Sequence, residues 1–321
     1  MKFLPYSCTP LTRMNTTSSK LGCDIYCKRD DLFERDGGGS KARMLQYILA
    51  DVTPLSYDVV LTAGGPCSNF NRACAMACAR LDVPMHLVVY TDNQQEFKTS
   101  VNYKICKAYK IVTTVCQKND VPQTIQQVKA MYEEQGKRVK LVYGGGKSLE
   151  GTYAYFRAVD ELQQQLADVD HIFVACGTGT TLAGLSTGAA LWFPKAQVHA
   201  ISVARAWLQE ENVLKELLKE LREYLSNNTE ANLDDPPSNI KYYEQFLYGG
   251  YARSSVMLHS DIDDCMRNEG ILVDPIYVGK AWHGMVNIIK QEPASFKGKR
   301  IVFWNTGGVY TLLSSLPSVI G

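Results

Sequence analysis

The chain has 321 residues, 45% of them hydrophobic and 21% charged, with 34 Lys plus Arg against 33 Asp plus Glu for a formal charge of +1. A balance this close provides no strong field for nucleic acid or an anionic membrane, and no apolar run approaches the roughly 20 residues that span a bilayer. A small-molecule partner is expected, with no nucleic acid and no membrane, and a single chain of two lobes is the expected organisation.

Taken in chain order, Met1 to Tyr6 carries one lysine and a short apolar stretch broken by Pro5, which is not the long apolar core of a secretory leader. Ten cysteines, at 8, 23, 27, 67, 74, 78, 106, 116, 176 and 265, are scattered rather than clustered as a disulfide framework. Reduced thiols in a cytoplasm fit that scatter. The pairs Cys23/Cys27 and Cys74/Cys78 have helical spacing, but no further ligand stands near enough in sequence to complete a metal site, so none is expected.

Strand-sized apolar runs recur at Val59 to Thr62, Met85 to Tyr90, Ile111 to Val115, Val139 to Tyr143, His171 to Cys176, Gln197 to Val203 and Arg300 to Trp304. Helix-length amphipathic segments between the first four fall near Asn69 to Arg80, Phe97 to Ala108 and Pro122 to Gln135, and a surface helix is expected over Val213 to Leu225. Alternation of this kind predicts an α/β protein of two lobes, each a mostly parallel sheet flanked by helices. The expected division is a large domain of 1–50 and 156–321 and a small domain of 51–155. Ser226 to Asn239, rich in asparagine, aspartate and proline, reads as a loop.

Four glycine turns stand out. Gly37-Gly38-Gly39-Ser40-Lys41 precedes a helix-like run, Ala42 to Ala50. A lysine enclosed there would lose solvation as an ammonium and gain neutral, nucleophilic population, although a lysine after glycines is also an ordinary solvated loop residue. Cys176-Gly177-Thr178-Gly179-Thr180-Thr181 ends a strand and opens a small-residue helix. Such a turn can cradle a phosphate on backbone N–H groups and hydroxyls, or be a tight turn without a ligand. No lysine follows it, which argues against a nucleotide P-loop. Gly64-Gly65-Pro66-Cys67-Ser68-Asn69 ends the strand from Val59, where Ser68 is either a site residue or an N-cap. Asn305-Thr306-Gly307-Gly308 closes the last strand. Turns at the carboxyl ends of strands are where open α/β sheets gather ligands.

In order and spacing these residues resemble the fold-type II (tryptophan-synthase-β-like) pyridoxal-phosphate enzymes, in the branch of aminocyclopropane-carboxylate deaminase and D-cysteine desulfhydrase. The resemblance rests on Thr9-Pro10-Leu11-Thr12-Arg13, Ile25 to Leu32, Gly38 to Lys41, Gly64-Gly65 with Ser68-Asn69 and Arg72, Gly177 to Thr181, Glu269 to Lys280, and Thr306-Gly307-Gly308. It implies pyridoxal 5'-phosphate as cofactor, Lys41 as its Schiff-base lysine, Asn69 on the phenolic oxygen, and Gly177, Thr178, Gly179, Thr180 and Thr181 on the phosphate. Ser68, Tyr251 and Tyr277 would surround a small amino-acid substrate, unless the tyrosines are core packing. Relatives are commonly homodimers, which implies the same here.

Departures bear on the reaction. Where the deaminase carries a glutamate near the pyridine nitrogen this chain has Val278, and the desulfhydrases carry a hydroxyl residue there, so Thr306 is the expected source of a neutral hydrogen bond. Ser40 replaces the usual asparagine, and Pro66-Cys67 and Phe70-Asn71 flank Ser68-Asn69 in place of more polar residues. The reaction expected first is a lyase's α,β-elimination, as in D-cysteine desulfhydrase, giving a keto acid and ammonia. β-Replacement and cyclopropane ring opening are the enzymatic alternatives, and a ligand-binding protein that kept the fold is the non-enzymatic one.

Overall fold

A computed structural model describes residues 1–204, 206–228, 237–250 and 253–315, without the side chains of 207–210. The chain divides into two compact units. One holds Ser7–Phe33 and Leu149–Val309; the other holds Met1–Tyr6, Glu34–Ser148 and the stretch from Tyr310.

Ten strands are present among the described residues: β1 (Leu11–Arg13), β2 (Asp24–Arg29), β3 (Val59–Gly64), β4 (Met85–Tyr90), β5 (Val112–Cys116), β6 (Val139–Leu141), β7 (His171–Cys176), β8 (Gln197–Ser202), β9 (Ile240–Tyr243) and β10 (Arg300–Asn305). The larger unit's sheet has the order β1-β2-β10-β7-β8-β9, parallel except for the antiparallel β1–β2 pair. The smaller unit's sheet, β5-β4-β3-β6, is parallel throughout. All seven expected strands are found within a residue or two. β1, β2 and β9 are additions.

Parallel strands read as continuous apolar runs because both faces are covered. Val59, Val60, Leu61 and Thr62 of β3 and Ile301 to Asn305 of β10 are all buried. In the larger unit Ile25, Phe173, Ile201, Trp282 and Phe303 share one core cluster; in the smaller, Leu61, Val88 and Val128 do.

The helix Asn69–Arg80 begins where expected, with Ser68 as its N-cap accepting from the Asn71 N–H at 3.2 Å. The expected helix over Phe97 to Ala108 is two, Glu96–Thr99 and Val101–Ala108. Ser100 breaks the run by adopting extended geometry and capping the second piece through Tyr103. The helix expected over Val213 to Leu225 runs longer, over Trp207–Asn228, with Leu214, Leu217, Leu218, Leu221 and Leu225 buried. It therefore takes in 226–228 of the expected loop, of which 229–236 lie outside the described residues.

The expected domain limits differ from the compact units in four places: 1–6, 34–50 and the stretch from Tyr310 fall with the smaller unit, and 149–155 with the larger. Residues 34–50 belong with the smaller unit, because the helix Gly39–Ile48 packs on Asn69–Arg80 and sets Met44 and Ile48 beside Gly146. Residues 149–155 belong with the larger, since Leu149–Gln163 is one continuous helix. That helix meets Thr180–Trp192 at van der Waals closeness. A Cβ on Gly184 would stand 2.3 Å from the Thr152 carbonyl oxygen, and one on Gly188 2.7 Å from Val159 Cβ.

Candidate active site

In the smaller unit, the glycine run turns the chain through positive φ at Gly37, Gly38 and Gly39 (77°, 73° and 84°), a region that side-chain-bearing residues avoid. Lys41 lies within the first turn of the helix Gly39–Ile48, which starts two residues before the lysine instead of after it as expected. Asp36 anchors the turn: its carboxylate accepts from Arg80 Nη2 at 2.8 Å and from Gln46 Nε2 at 2.9 Å. Arg72 closes it from the other side, donating through Nη1 to the Asp36 carbonyl at 2.6 Å. A Cβ on Gly37 would fall 2.0 Å from that nitrogen, so only glycine admits the guanidinium.

Lys41 Nζ donates to the Gly145 carbonyl oxygen at 2.8 Å. Among the described residues no carboxylate partners the amine, so loss of solvent alone pulls the ammonium down from 10.5 to about 8. About one amine in ten is then neutral at pH 7. Gly144, Gly145 and Gly146 form the turn that accepts this bond, with φ of 75° and 80° at the last two. Gly144 is glycine for a second reason, since a Cβ there would lie 2.6 Å from the Ala63 carbonyl.

Ser68 and Asn69 stand in the same unit at the end of β3. Ser68 Oγ accepts the capping bond from Asn71 and keeps its own hydrogen to donate. Asn69 is held at both ends: Nδ2 donates to Thr311 Oγ1 at 2.9 Å and Oδ1 accepts from Asn102 Nδ2 at 3.1 Å.

In the larger unit, the turn after β7 carries Gly177 to Thr181. Gly179 adopts left-handed geometry (φ 78°) and no side chain caps the helix Thr180–Trp192 that follows, nor does an acidic residue stand in its first turn. Among the described residues the first-turn N–H groups therefore have no side-chain acceptor. Thr178 Oγ1 and Thr180 Oγ1 are 3.2 Å apart, adding hydroxyls to a set that contains donors and no carboxylate. Gly177 has ordinary φ, and among the described residues a Cβ there would meet only Val203 Cγ2 at 3.9 Å.

The same unit holds Tyr277 and Thr306. Asp274, fully buried, accepts from the N–H groups of Ile276, Tyr277 and Val278 at 2.9, 2.9 and 3.0 Å, fixing the entry to the helix Val278–Gln291. Burial nonetheless pushes its carboxyl up to about 6. Gly308 (φ 114°) runs so close to Asp274 that a Cβ would sit 2.4 Å from Oδ1. The turn that contains Thr306 is held by Asn305 Oδ1, which accepts from Gly307 N at 3.0 Å. Lys280, fully buried, donates to the carbonyls of Leu247 and Gly250 at 3.1 and 3.2 Å, and desolvation lowers it to about 8. Tyr251 lies outside the described residues.

Lys41, Ser68 and Asn69 thus belong to one unit, and Gly177 to Thr181, Tyr277 and Thr306 to the other. The Gly144–Gly146 turn is not among the sequence-based expectations, although three consecutive glycines after a strand are a readable signal. Nor are Asn102 and Thr311, for which nothing local in the sequence gives a sign.

Comparison with known proteins adds the chemistry. A family signature described as "Pyridoxal-phosphate dependent enzyme" matches residues 3–307. The chain is 32% identical over 313 residues to a Pyrococcus horikoshii protein provisionally named 1-aminocyclopropane-1-carboxylate deaminase, covering 96% of this chain and 91% of that one. It is 29% identical over 320 residues to a Yersinia pestis protein named D-cysteine desulfhydrase, covering 97% and 94%. A solved structure described as an ACC deaminase homologue superposes with a TM-score of 0.83 at 30% identity, over 98% of this chain and 96% of that one.

Proposed function

Since this chain belongs to the pyridoxal-phosphate-dependent enzyme family, we propose that it is a lyase performing α,β-elimination on a small amino acid, as a D-cysteine desulfhydrase does, with a keto acid and ammonia as products. The observation that carries the reading is the desolvated Lys41 amine, partly neutral and held at a fixed atom, Gly145 O. Such an amine can both bond to an aldehyde and take a proton from carbon. When bound, pyridoxal phosphate supplies an aldehyde that captures the substrate nitrogen and a ring that withdraws electrons from the α-carbon.

The residues fit that group. Among the described residues nothing crowds a Cβ at Gly177, and a turn with N–H and hydroxyl donors and no carboxylate, on an uncapped helix, suits a phosphate dianion. In this reading Lys41 Nζ would hold the aldehyde at rest and, freed when the substrate amine takes its place, would remove the α-proton. Asn69 Nδ2 would donate to the phenolic oxygen, and the turn Gly177, Thr178, Gly179, Thr180 and Thr181 would bind the phosphate. Ser68 Oγ would donate to the substrate, Tyr277 would flank it, and Thr306 Oγ1 would hydrogen-bond the pyridine nitrogen; the part expected of Tyr251 falls outside the described residues.

Val278 favours elimination over ring opening. It is fully buried, and its side chain cannot provide a charge to keep the pyridine nitrogen protonated. A prompt leaving group such as a thiol asks less of the ring than a cyclopropane carbon does. We place the enzyme in the cytoplasm as a homodimer, a state that light scattering on the purified protein tests. No helix among the described residues is long and apolar enough to cross a membrane.

The deciding experiment incubates purified protein with D-cysteine, L-cysteine and the β-chloroalanines. Pyruvate and ammonia in equal amounts are expected from at least one. Absence of pyruvate from all four sinks elimination, and a new amino acid on adding a thiol identifies β-replacement instead.

A further inference from the structure

We infer that Arg72 and Asn102 are positioning residues that fix the direction in which the Asn69 amide donates, an inference that rests on the proposed contact between Asn69 and the phenolic oxygen of the cofactor. An asparagine amide has an accepting end and a donating end of nearly equal size, so its neighbours decide which end faces a ligand. Here the decision begins at a group with no choice. Arg72 carries only donors, and its Nε donates to Asn102 Oδ1 at 3.2 Å. Asn102 Nδ2 must then point the other way, where it donates to the Cys67 carbonyl at 3.0 Å and to Asn69 Oδ1 at 3.1 Å. The backbone carbonyl can only accept, so both ends of the Asn102 amide are anchored. With its oxygen engaged by Asn102, Asn69 turns Nδ2 away, gives one hydrogen to Thr311 Oγ1 at 2.9 Å and keeps the second.

Burial makes the arrangement rigid. Arg72 is 2% and Asn102 1% exposed, so water cannot substitute for a lost partner. The same guanidinium reaches the turn that leads to Lys41, with Nη1 on the Asp36 carbonyl at 2.6 Å and Nη2 on the Gly38 carbonyl at 3.4 Å, and it lies 4.2 Å over the Tyr310 ring. One buried cation therefore sets both the turn that carries the amine and the direction of the amide. A flipped Asn69 would aim lone pairs, rather than an N–H, at a phenolate.

The test uses the cofactor-loaded protein, reading the position of its visible absorption band, the pH midpoint of that band and the rate of cofactor loss on dilution. Asn102→Asp keeps size and still accepts from Arg72, but has no N–H for Cys67 or Asn69. Its band midpoint is expected to move in the same direction as that of Asn69→Ala, with about tenfold faster cofactor loss, the effect of one hydrogen bond to a charged atom. The double variant Asn69→Ala/Asn102→Asp is expected to move no further than Asn69→Ala alone. Should Asn102→Asp not fold, Arg72→Lys, which keeps the buried charge and removes the Nε donor, carries the same expectation. A folded variant with the unaltered band and midpoint, while Asn69→Ala is displaced, overturns the positioning role, as does failure of both to fold. If Asn69→Ala itself leaves the band unchanged, the phenolic-oxygen reading fails and the inference falls with it.

Discussion

Lys41 Nζ rests 2.8 Å from the carbonyl oxygen of Gly145, 104 residues further along the chain. The carbonyl steers the amine without charging it, because a neutral oxygen lowers the cost of burial less than a carboxylate would. That leaves the amine titrating near 8 and ready to react.

Stability of the cofactor-free protein should therefore depend on pH in a particular direction. Lys41 titrates near 8 when folded and near 10.5 when unfolded, so between those values the unfolded chain binds the extra proton. The Lys41 contribution to urea resistance should rise with pH across that window and change no more below it, against an opposite contribution from thiols that burial holds protonated, Cys106 and Cys265 among them. Lys280, also lowered to about 8, acts in the same sense. Lys41→Met should make the slope between pH 8 and 10.5 less positive than that of the unaltered protein, and an identical slope in the two would show that the amine is solvated.

Gly177→Ala and Gly179→Ala separate fold from ligand. The first places a methyl where only Val203 Cγ2 is near, at 3.9 Å, so melting of the cofactor-free protein should stay within about a degree or two of the unaltered protein, as for an unstrained surface change. Its cofactor affinity should fall at least about tenfold, because the methyl takes up ligand space. Gly179→Ala forces alanine into φ 78° and should lower both, by about 1–2 kcal/mol in stability. Equal affinity in Gly177→Ala and the unaltered protein would remove the phosphate from this turn.

Much of this was legible because parallel strands and glycine turns write themselves locally. Val59 to Thr62 is apolar whichever face it presents, and Gly179 is glycine for its own φ. What escaped depends on partners distant in sequence. β2 was not read as a strand because Lys28 and Arg29 interrupt its alternation. Lys28 is fully buried all the same, paired with Glu161 and donating to Thr9 O and Gln165 Oε1, both at 2.7 Å. Without Glu161, 133 residues away, the buried ammonium would lose the carboxylate it is paired with. The site shows the same division: Lys41 announces itself beside three glycines, whereas the role of Asn102 exists only through Arg72 and Cys67.

Asp274→Ala should cost about 2–4 kcal/mol, since it removes the acceptor of three N–H groups at the head of the helix Val278–Gln291, that of Val278 fully buried. Denaturant unfolding measures the loss. A change below about 0.5 kcal/mol would mean that the helix is capped by other means.

Gly184→Ala should also destabilise, by about 1–3 kcal/mol, because the methyl meets the Thr152 carbonyl and the Phe156 N–H, which are backbone and cannot swing aside. Thermal unfolding is the readout, and a neutral result would contradict the close approach of helices Leu149–Gln163 and Thr180–Trp192.

Reduction of the cofactor-loaded protein with borohydride, followed by peptide mapping, locates the amine that holds the aldehyde. The pyridoxyl group is expected on Lys41 alone, and on no residue in Lys41→Ala. Finding it on Lys280, the other buried amine lowered to about 8, or finding no label on the unaltered protein, would contradict the account.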